Sequence, residues 1–232
     1  MHHPVINIAA LLFDLWCSQS ELCKHNRTSD WPWAVLTGDA WNEHGKVVAG
    51  AAKFLPTSFG RTPQNPQEKI LSRYKAWEFL YYLYGEGPGV FFNVLPPQYY
   101  FHFCKLVRAI QIVYRWKILQ EQLVLTHKLL LEWFLESELL YYQRNPDHLH
   151  FVHQCIHSLT HLAKETILLG PLSLSSQWTM ERIIGVLGSH LRQPSNPFAN
   201  LTSQAQKMAH INSLIAIWLS GVQPGTHWPL EV

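Results

Sequence analysis

The 232-residue chain has few charged residues and lacks the patterns that identify several common function classes. Asp, Glu, Lys and Arg make up 15% of it, against ~25% in ordinary soluble domains. Its net charge of +2 gives no strong electrostatic footprint for nucleic acid. The glycine cluster at residues 85–89 is no phosphate-binding loop, because no Lys and Ser or Thr follow it. No G-x-S-x-G sequence supports hydrolase chemistry.

Cysteine pairs and long apolar runs are also missing. The four cysteines, at positions 17, 23, 104 and 155, form no C-x-x-C pair. The apolar run at residues 5–13 lacks the basic flank and the cleavage site of a secretory signal. We therefore expect reduced thiols in an intracellular protein. The apolar stretches near residues 87–103 and 211–222 are interrupted by polar residues, Gly or Pro, so no membrane span or membrane partner is expected.

Apolar and aromatic residues are abundant instead. Hydrophobic residues make up 47% of the chain, which contains ten Trp, nine Tyr and eleven Phe. A chain of this length can bury a substantial core. With so little charge, it either exposes apolar surface or is part of something larger that covers that surface.

Apolar periodicity and the positions of Gly and Pro predict a mainly α-helical chain. Residues 5–13 fit a helix or a strand. The helices are expected at residues 40–53, 67–84, 97–116, 118–143, 148–168, 176–192 and 201–219, with glycine and proline clusters at 85–89 and 170–171 as breaks. We predict an N-terminal region, 1–66, that ends in a proline-rich strap, a helical region, 67–220, and a flexible tail, 221–232.

The helix at 176–192 has an unusual polar stripe. Glu181, Gly185, Gly188 and Arg192 recur at three- and four-residue steps. Because glycine inside a helix costs ~1 kcal/mol relative to alanine, two glycines beside one acid suggest that something approaches the helix closely there. The alternative is a surface glutamate paired with an arginine, with the glycines serving helix packing.

Histidines 150, 153, 157 and 161 are spaced to lie on one face of the helix at 148–168. Two histidines one turn apart, such as His157 and His161, can share a metal ion. Four along the helix axis cannot converge on one ion. A metal site therefore needs ligands from elsewhere, such as Cys155 or a distant acid. The alternative is a row of histidines hydrogen-bonded at a seam between helices.

Five phrases in fixed order resemble a known family. They are Tyr74-Lys-Ala-Trp-Glu-Phe79, Phe103-Cys-Lys-Leu-Val107, His150-Phe-Val152, Ser176-Gln-Trp-Thr-Met-Glu-Arg182 and Arg192-Gln-Pro-Ser-Asn-Pro197. Together they look like the C-terminal part of transposase-derived proteins of mushroom-type fungi, in the Plavaka branch of the CACTA-like DNA transposons. The resemblance extends from Met1 to about Ile217, and the phrase around Glu181 is its most specific part.

The resemblance implies a DDE transposase with an RNase H-like core interrupted by a large helical insertion. This chain would be the insertion and the C-terminal part, with the core strands largely missing. Two aspartates and a glutamate of the intact family hold two Mg²⁺ ions for phosphoryl transfer. Glu181 is the candidate third carboxylate, and both aspartates would lie before Met1. We therefore expect the chain as given to be inactive and to hold no cofactor alone.

DNA contacts are in doubt because this chain departs from the family pattern. Arginine-rich family segments are replaced at Trp16-Cys-Ser18, at residues 61–66 and after Leu201, and arginines position DNA through phosphate contacts. The remaining candidates for DNA binding are Lys75, Arg182, Arg192 and Lys207. The resemblance implies a nuclear protein; without it, a cytoplasmic location is expected. The expected partners are weakly bound DNA, the rest of a transposase or a second copy of this chain.

Three functional hypotheses follow from these patterns. The first is a truncated, inactive transposase remnant, with residual DNA or protein binding at most. The second is a helical DNA-binding or interaction module co-opted from a transposase. The third is a His/Glu metalloenzyme built on residues 148–192. The sequence does not separate a decaying transposon copy from a domesticated one.

Overall fold

The computed structural model describes residues 3–18, 28–55, 62–70, 74–175, 184–186, 188–189 and 196–219. The chain is mainly α-helical, as the periodicity predicts, and its described residues contain no strand. It divides into two compact units, Met1–Ser176 and Gln177–Val232. The sequence-based division at residues 66 and 220 stays a prediction.

The first unit contains ten α-helices joined by short π and 3₁₀ segments in its described residues. They are α1 (Ile8–Cys17), α2 (Gly38–Ala51), α3 (Pro66–Lys69), α4 (Ala76–Phe79), α5 (Gly87–Val90), α6 (Pro97–Val113), α7 (Gln120–Ser137), α8 (Gln154–Ser158), α9 (Leu162–Leu169) and α10 (Leu172–Ser175). Residues His3–Asn7, Leu80–Glu86 and Glu138–Tyr142 are π-helical, and Thr28–Asp30, Ala52–Phe54, Pro146–Phe151 and Leu159–His161 are 3₁₀-helical.

Helix α1 occupies the core of the first unit. Residues His3–Asn7 are π-helical and Ile8–Cys17 are α-helical, so residues 5–13, which fit a helix or a strand by sequence, are helical. Eight of the ten residues of α1 are buried. The indole N–H of Trp16 donates a hydrogen bond to the hydroxyl of Tyr141 at 3.1 Å. A helix that is apolar all round is stable in water only when other elements cover it, and here the later helices do so.

An aromatic cluster joins α1 to the π-helical segment Leu80–Glu86, to the end of α5 and to α6. Phe13 stacks on Tyr82 with ring centroids 5.2 Å apart. Trp16 lies 5.0 Å from Phe91 and 5.4 Å from Phe103, in tilted and edge-to-face geometry. Such pairs contribute ~0.5–1.5 kcal/mol beyond the area that they bury, so this cluster is a main source of stability for the first unit.

The expected break at residues 85–89 is wrong. The π-helical segment ends at Glu86, and α5 continues from Gly87 to Val90. Pro88 is tolerated because it lies in the first turn of α5. Gly87 is required for packing rather than for a turn, since a Cβ atom there would lie 2.8 Å from Cζ of Phe103.

Helices α6 and α7 pack against each other through a buried ring pair and a partly buried group of three charged side chains. The ring of His102 stacks on that of Trp133 with centroids 5.0 Å apart. The ammonium group of Lys105 pairs with Glu132 at 3.0 Å and also with Glu136. These cross-helix contacts fix how the α6 and α7 faces meet.

The histidine-rich segment is not the single helix that was predicted for residues 148–168. A 3₁₀ segment ends at Phe151, and Val152 leaves helical geometry with φ −83° and ψ 84° before α8 begins. His153, the residue before α8, is in an extended conformation and makes no side-chain capping hydrogen bond. The predicted stop at Gly170-Pro171 is correct, because Gly170 ends α9 with a φ of +84°.

The second unit contains helix α11, Pro197–Leu219, in its described part. It begins four residues before the predicted start at residue 201, since proline is well tolerated in a first helical turn. Within the described residues, every helix is too short or too polar to cross a membrane.

We predict that two neighbouring phenylalanines differ sharply in their effect on stability. Phe91 is completely buried, whereas Phe92 is 60% exposed. Phe91→Ala should lower the free energy of unfolding by ~3–5 kcal/mol, because it leaves a cavity in the aromatic cluster. Phe92→Ala, the matched control, should change it by less than ~0.5 kcal/mol. Urea unfolding measures both, and equal effects would contradict this packing.

Candidate functional site

The catalytic carboxylate that the resemblance assigns lies outside the described residues. The same holds for Arg182 and Arg192. Gly185 and Gly188 of the same predicted helix are helical and open. Apart from the neighbouring residues and backbone of the same helix, no described atom lies within 4 Å of the position that a Cβ would take at either glycine. The expected close approach to these glycines therefore has no counterpart in the part of the chain that is described.

The two other predicted DNA contacts are described, and both are exposed. Lys75 precedes α4, where its backbone N–H donates to Oε2 of Glu78 at 2.9 Å, and its side chain is exposed. Lys207 lies on α11 in the second unit and is also exposed. Both lysines are available to a partner.

The predicted metal ligands His157 and His161 are brought together. His157 lies in α8, and His161 ends the 3₁₀ segment that follows. Their Nε2 atoms are 3.2 Å apart, and both residues are exposed. The backbone break at Val152 separates His150 from this pair, so the four histidines do not form one row. Among the described residues no group of three or more His, Cys, Asp or Glu side chains could hold a metal.

The buried carboxylate of Glu78 has a structural role. It accepts hydrogen bonds from the backbone N–H and side-chain amide of Gln64 at 3.2 and 3.3 Å, and from the backbone N–H of Lys75. It therefore ties the loop before α3 to the start of α4. Charge-assisted hydrogen bonds of this kind are among the stronger ones in proteins.

Sequence patterns missed two buried histidines. Nε2 of His44 lies 2.6 Å from the hydroxyl of Tyr82, and Nε2 of His102 lies 2.9 Å from the carbonyl oxygen of Trp133. Burial lowers the pKa of His44 to about 4. Burial also lowers the pKa of His102 to about 4, although its hydrogen bond to Trp133 opposes the shift. Both rings are neutral at pH 7, so Nε2–H of His102 donates to that carbonyl.

An apolar cavity of ≈ 30 Å³ lies between α1, α7 and the start of α8, next to Leu12, Trp133 and Tyr141. This volume has room for a water-sized molecule but not for an organic ligand. The cavity is therefore a packing gap rather than a binding pocket.

Comparisons of the chain with protein-family models, with curated proteins and with solved structures give no match.

We predict that His44 makes the fold sensitive to acid. An unfolded histidine has a pKa of ~6.5, whereas the folded one stays neutral down to about 4. The contribution of neutral His44 to the free energy of unfolding is therefore fully present above pH ~6.5. It is lost as the pH falls towards 4, because His44 takes up a proton in the unfolded chain at a higher pH than in the folded protein. Between pH 7 and pH 5 the loss attributable to His44 should be ~1–2 kcal/mol.

Chemical unfolding at both pH values tests this prediction. The protein with His44→Gln should lose ~1–2 kcal/mol less than the unsubstituted protein over the same interval. The control is His127→Gln, which removes an exposed histidine of α7 and should leave the pH dependence unchanged. The same acid loss with and without His44 would show that its burial does not govern this response.

Proposed function

We propose that the chain is a transposase-derived helical module that has no catalytic activity as the 232-residue chain and acts by binding another protein chain. The five phrases that resemble Plavaka-type transposases support the origin, and the mainly helical fold is compatible with the insertion and C-terminal part of such an enzyme. The resemblance assigns one of its three catalytic carboxylates, Glu181, to this chain. It also assigns a nuclear location.

The observation that carries the binding role is an exposed apolar surface on α11. Ile211, Leu214, Ile215, Trp218 and Leu219 recur at three- and four-residue steps, and they are 48–81% exposed. We call these five residues the α11 stripe. Contiguous exposed apolar residues on one side of a helix are typical of surfaces that bind a partner.

The charge of α11 favours a protein partner over DNA. Its 23 residues include one lysine, Lys207, and no Arg, Asp or Glu. A DNA-binding surface needs several cations to neutralise phosphates. In the first unit, Lys105 is already paired with Glu132 and Glu136, so it is not available to DNA.

A second copy of this chain fits the α11 stripe. Half-buried Leu201, Gln204 and Met208 continue this side of the helix towards the N-terminus. The positions 201, 204, 208, 211, 215 and 218 then follow the alternating three- and four-residue spacing of a coiled coil. Two copies of a helix with so little charge do not repel each other, and Gln204 can pair with its own copy. We therefore propose self-association through α11.

We predict that substitutions in the α11 stripe abolish self-association. The double change Ile215→Ser with Trp218→Ser removes two apolar contacts of the helix pair, so the variant should sediment as a monomer at concentrations where the unsubstituted protein forms dimers. Phe198→Ser is the matched control. Phe198 is 84% exposed on the same helix but lies outside the coiled-coil positions, so this variant should still dimerise. An unsubstituted protein that stays monomeric would contradict the proposal.

Residual DNA binding is the second candidate function, because Lys75 and Lys207 are both exposed. Only non-specific affinity is expected, with a dissociation constant no tighter than ~10⁻⁶ M at physiological salt and a shallow salt dependence. Mobility-shift titrations at several salt concentrations measure both quantities. Nanomolar binding with a steep salt dependence would instead support a co-opted DNA-binding module.

We predict that the chain does not cleave or join DNA in the presence of Mg²⁺. A single carboxylate does not hold the pair of Mg²⁺ ions that phosphoryl transfer of this kind requires. The measurement is nicking and strand transfer on plasmid DNA, with Glu181→Gln as the control for contaminating nucleases. DNA cleavage that Glu181→Gln abolishes would contradict the proposed loss of activity and would favour an enzyme.

A further inference from the structure

The geometry of His157 and His161 matches the requirement of a chelated zinc ion. Two ligand nitrogens at ~2.0–2.1 Å from a tetrahedral Zn²⁺ ion lie about 3.3 Å apart. The two Nε2 atoms are 3.2 Å apart, with ring planes at 78° to each other. The ion could therefore enter with side-chain shifts of a few tenths of an ångström. In a hydrogen bond between the rings only one nitrogen accepts, whereas a metal ion engages both lone pairs.

The protein also restrains the ring of His157 and the backbone between the two histidines before any metal arrives. The ring of His157 packs against that of Phe134 from α7, with centroids 6.0 Å apart at 70°. Thr160 donates a hydrogen bond from its hydroxyl to the carbonyl oxygen of His157 at 2.7 Å. Leu159 and Leu162 are buried on the opposite side and anchor the segment that joins the histidines. Less side-chain freedom is therefore lost when a metal binds.

We propose that His157 and His161 form an exposed two-histidine site for Zn²⁺, in which water fills the remaining coordination positions. No third His, Cys, Asp or Glu converges with this pair within the described residues. Structural zinc sites use four protein ligands and catalytic sites use three. A site with two protein ligands therefore binds zinc more weakly and leaves coordination positions open to water. Zinc binding at such a site is not required for folding. The site is independent of the transposase origin and of the α11 stripe.

The test is a calorimetric titration of the purified chain with ZnCl₂, in a buffer that does not bind the metal. The variants are His157→Ala, His161→Ala and the double variant, all at exposed helical positions where alanine should leave the fold intact. His127→Ala is the matched control, because it removes an exposed histidine of α7 that is not part of the pair. Circular dichroism melting in the presence of EDTA checks that each variant is folded.

Each single substitution should weaken zinc binding at this site on the order of a hundredfold, because it removes the advantage of two linked ligands. The double variant should bind one Zn²⁺ fewer per chain, and His127→Ala should leave stoichiometry and affinity unchanged. Imidazole NMR signals of the unsubstituted protein should shift at His157 and His161 on the first addition of ZnCl₂. An unchanged stoichiometry and affinity in the double variant, or an equal loss in His127→Ala, would overturn the proposal.

Discussion

Burial of α1 is the constraint on which the first unit depends. The helix is apolar on nearly every side, so it is stable only where later parts of the chain surround it. Phe13 and Trp16 contact rings of α5, α6 and the π-helical segment between α4 and α5. The hydrogen bond from Trp16 to Tyr141 fixes the end of the α7 region against the same helix. Helices α2 and α4, which carry His44 and Glu78, each place an aromatic ring against Phe13 of α1.

Much of the helical fold could be predicted from the sequence, because apolar spacing and proline positions are local signals. The sequence predicts a helix over residues 97–116, and α6 begins at Pro97 and ends at Val113. It also predicts the end of α9 at Gly170 correctly. The break at 85–89 was wrong, because Gly87 is fixed by contact with Phe103, which a local pattern does not encode. Tertiary packing decided the outcome at that position.

The candidate sites could be predicted from the sequence where their residues lie close together along the chain. The four-residue spacing of His157 and His161 indicated a shared metal, and their nitrogens do lie close together. His150 and His153 were expected in the same row, but the conformation of Val152 separates them. His44 and His102 carried no signal in the sequence, because their buried state depends on partners 38 and 31 residues away. The residues around Glu181 lie outside the described part of the chain.

The order of synthesis gives the central position of α1 a further consequence. Trp16 leaves the ribosome 125 residues before Tyr141. At ~5–20 residues per second, translation of that interval takes on the order of 6–25 s. The α1 partners Tyr82, Phe91 and Phe103 are made during this interval, and Tyr141 is made at its end. The apolar side chains of α1 are therefore incompletely covered for seconds during synthesis, until the α7 region has been made.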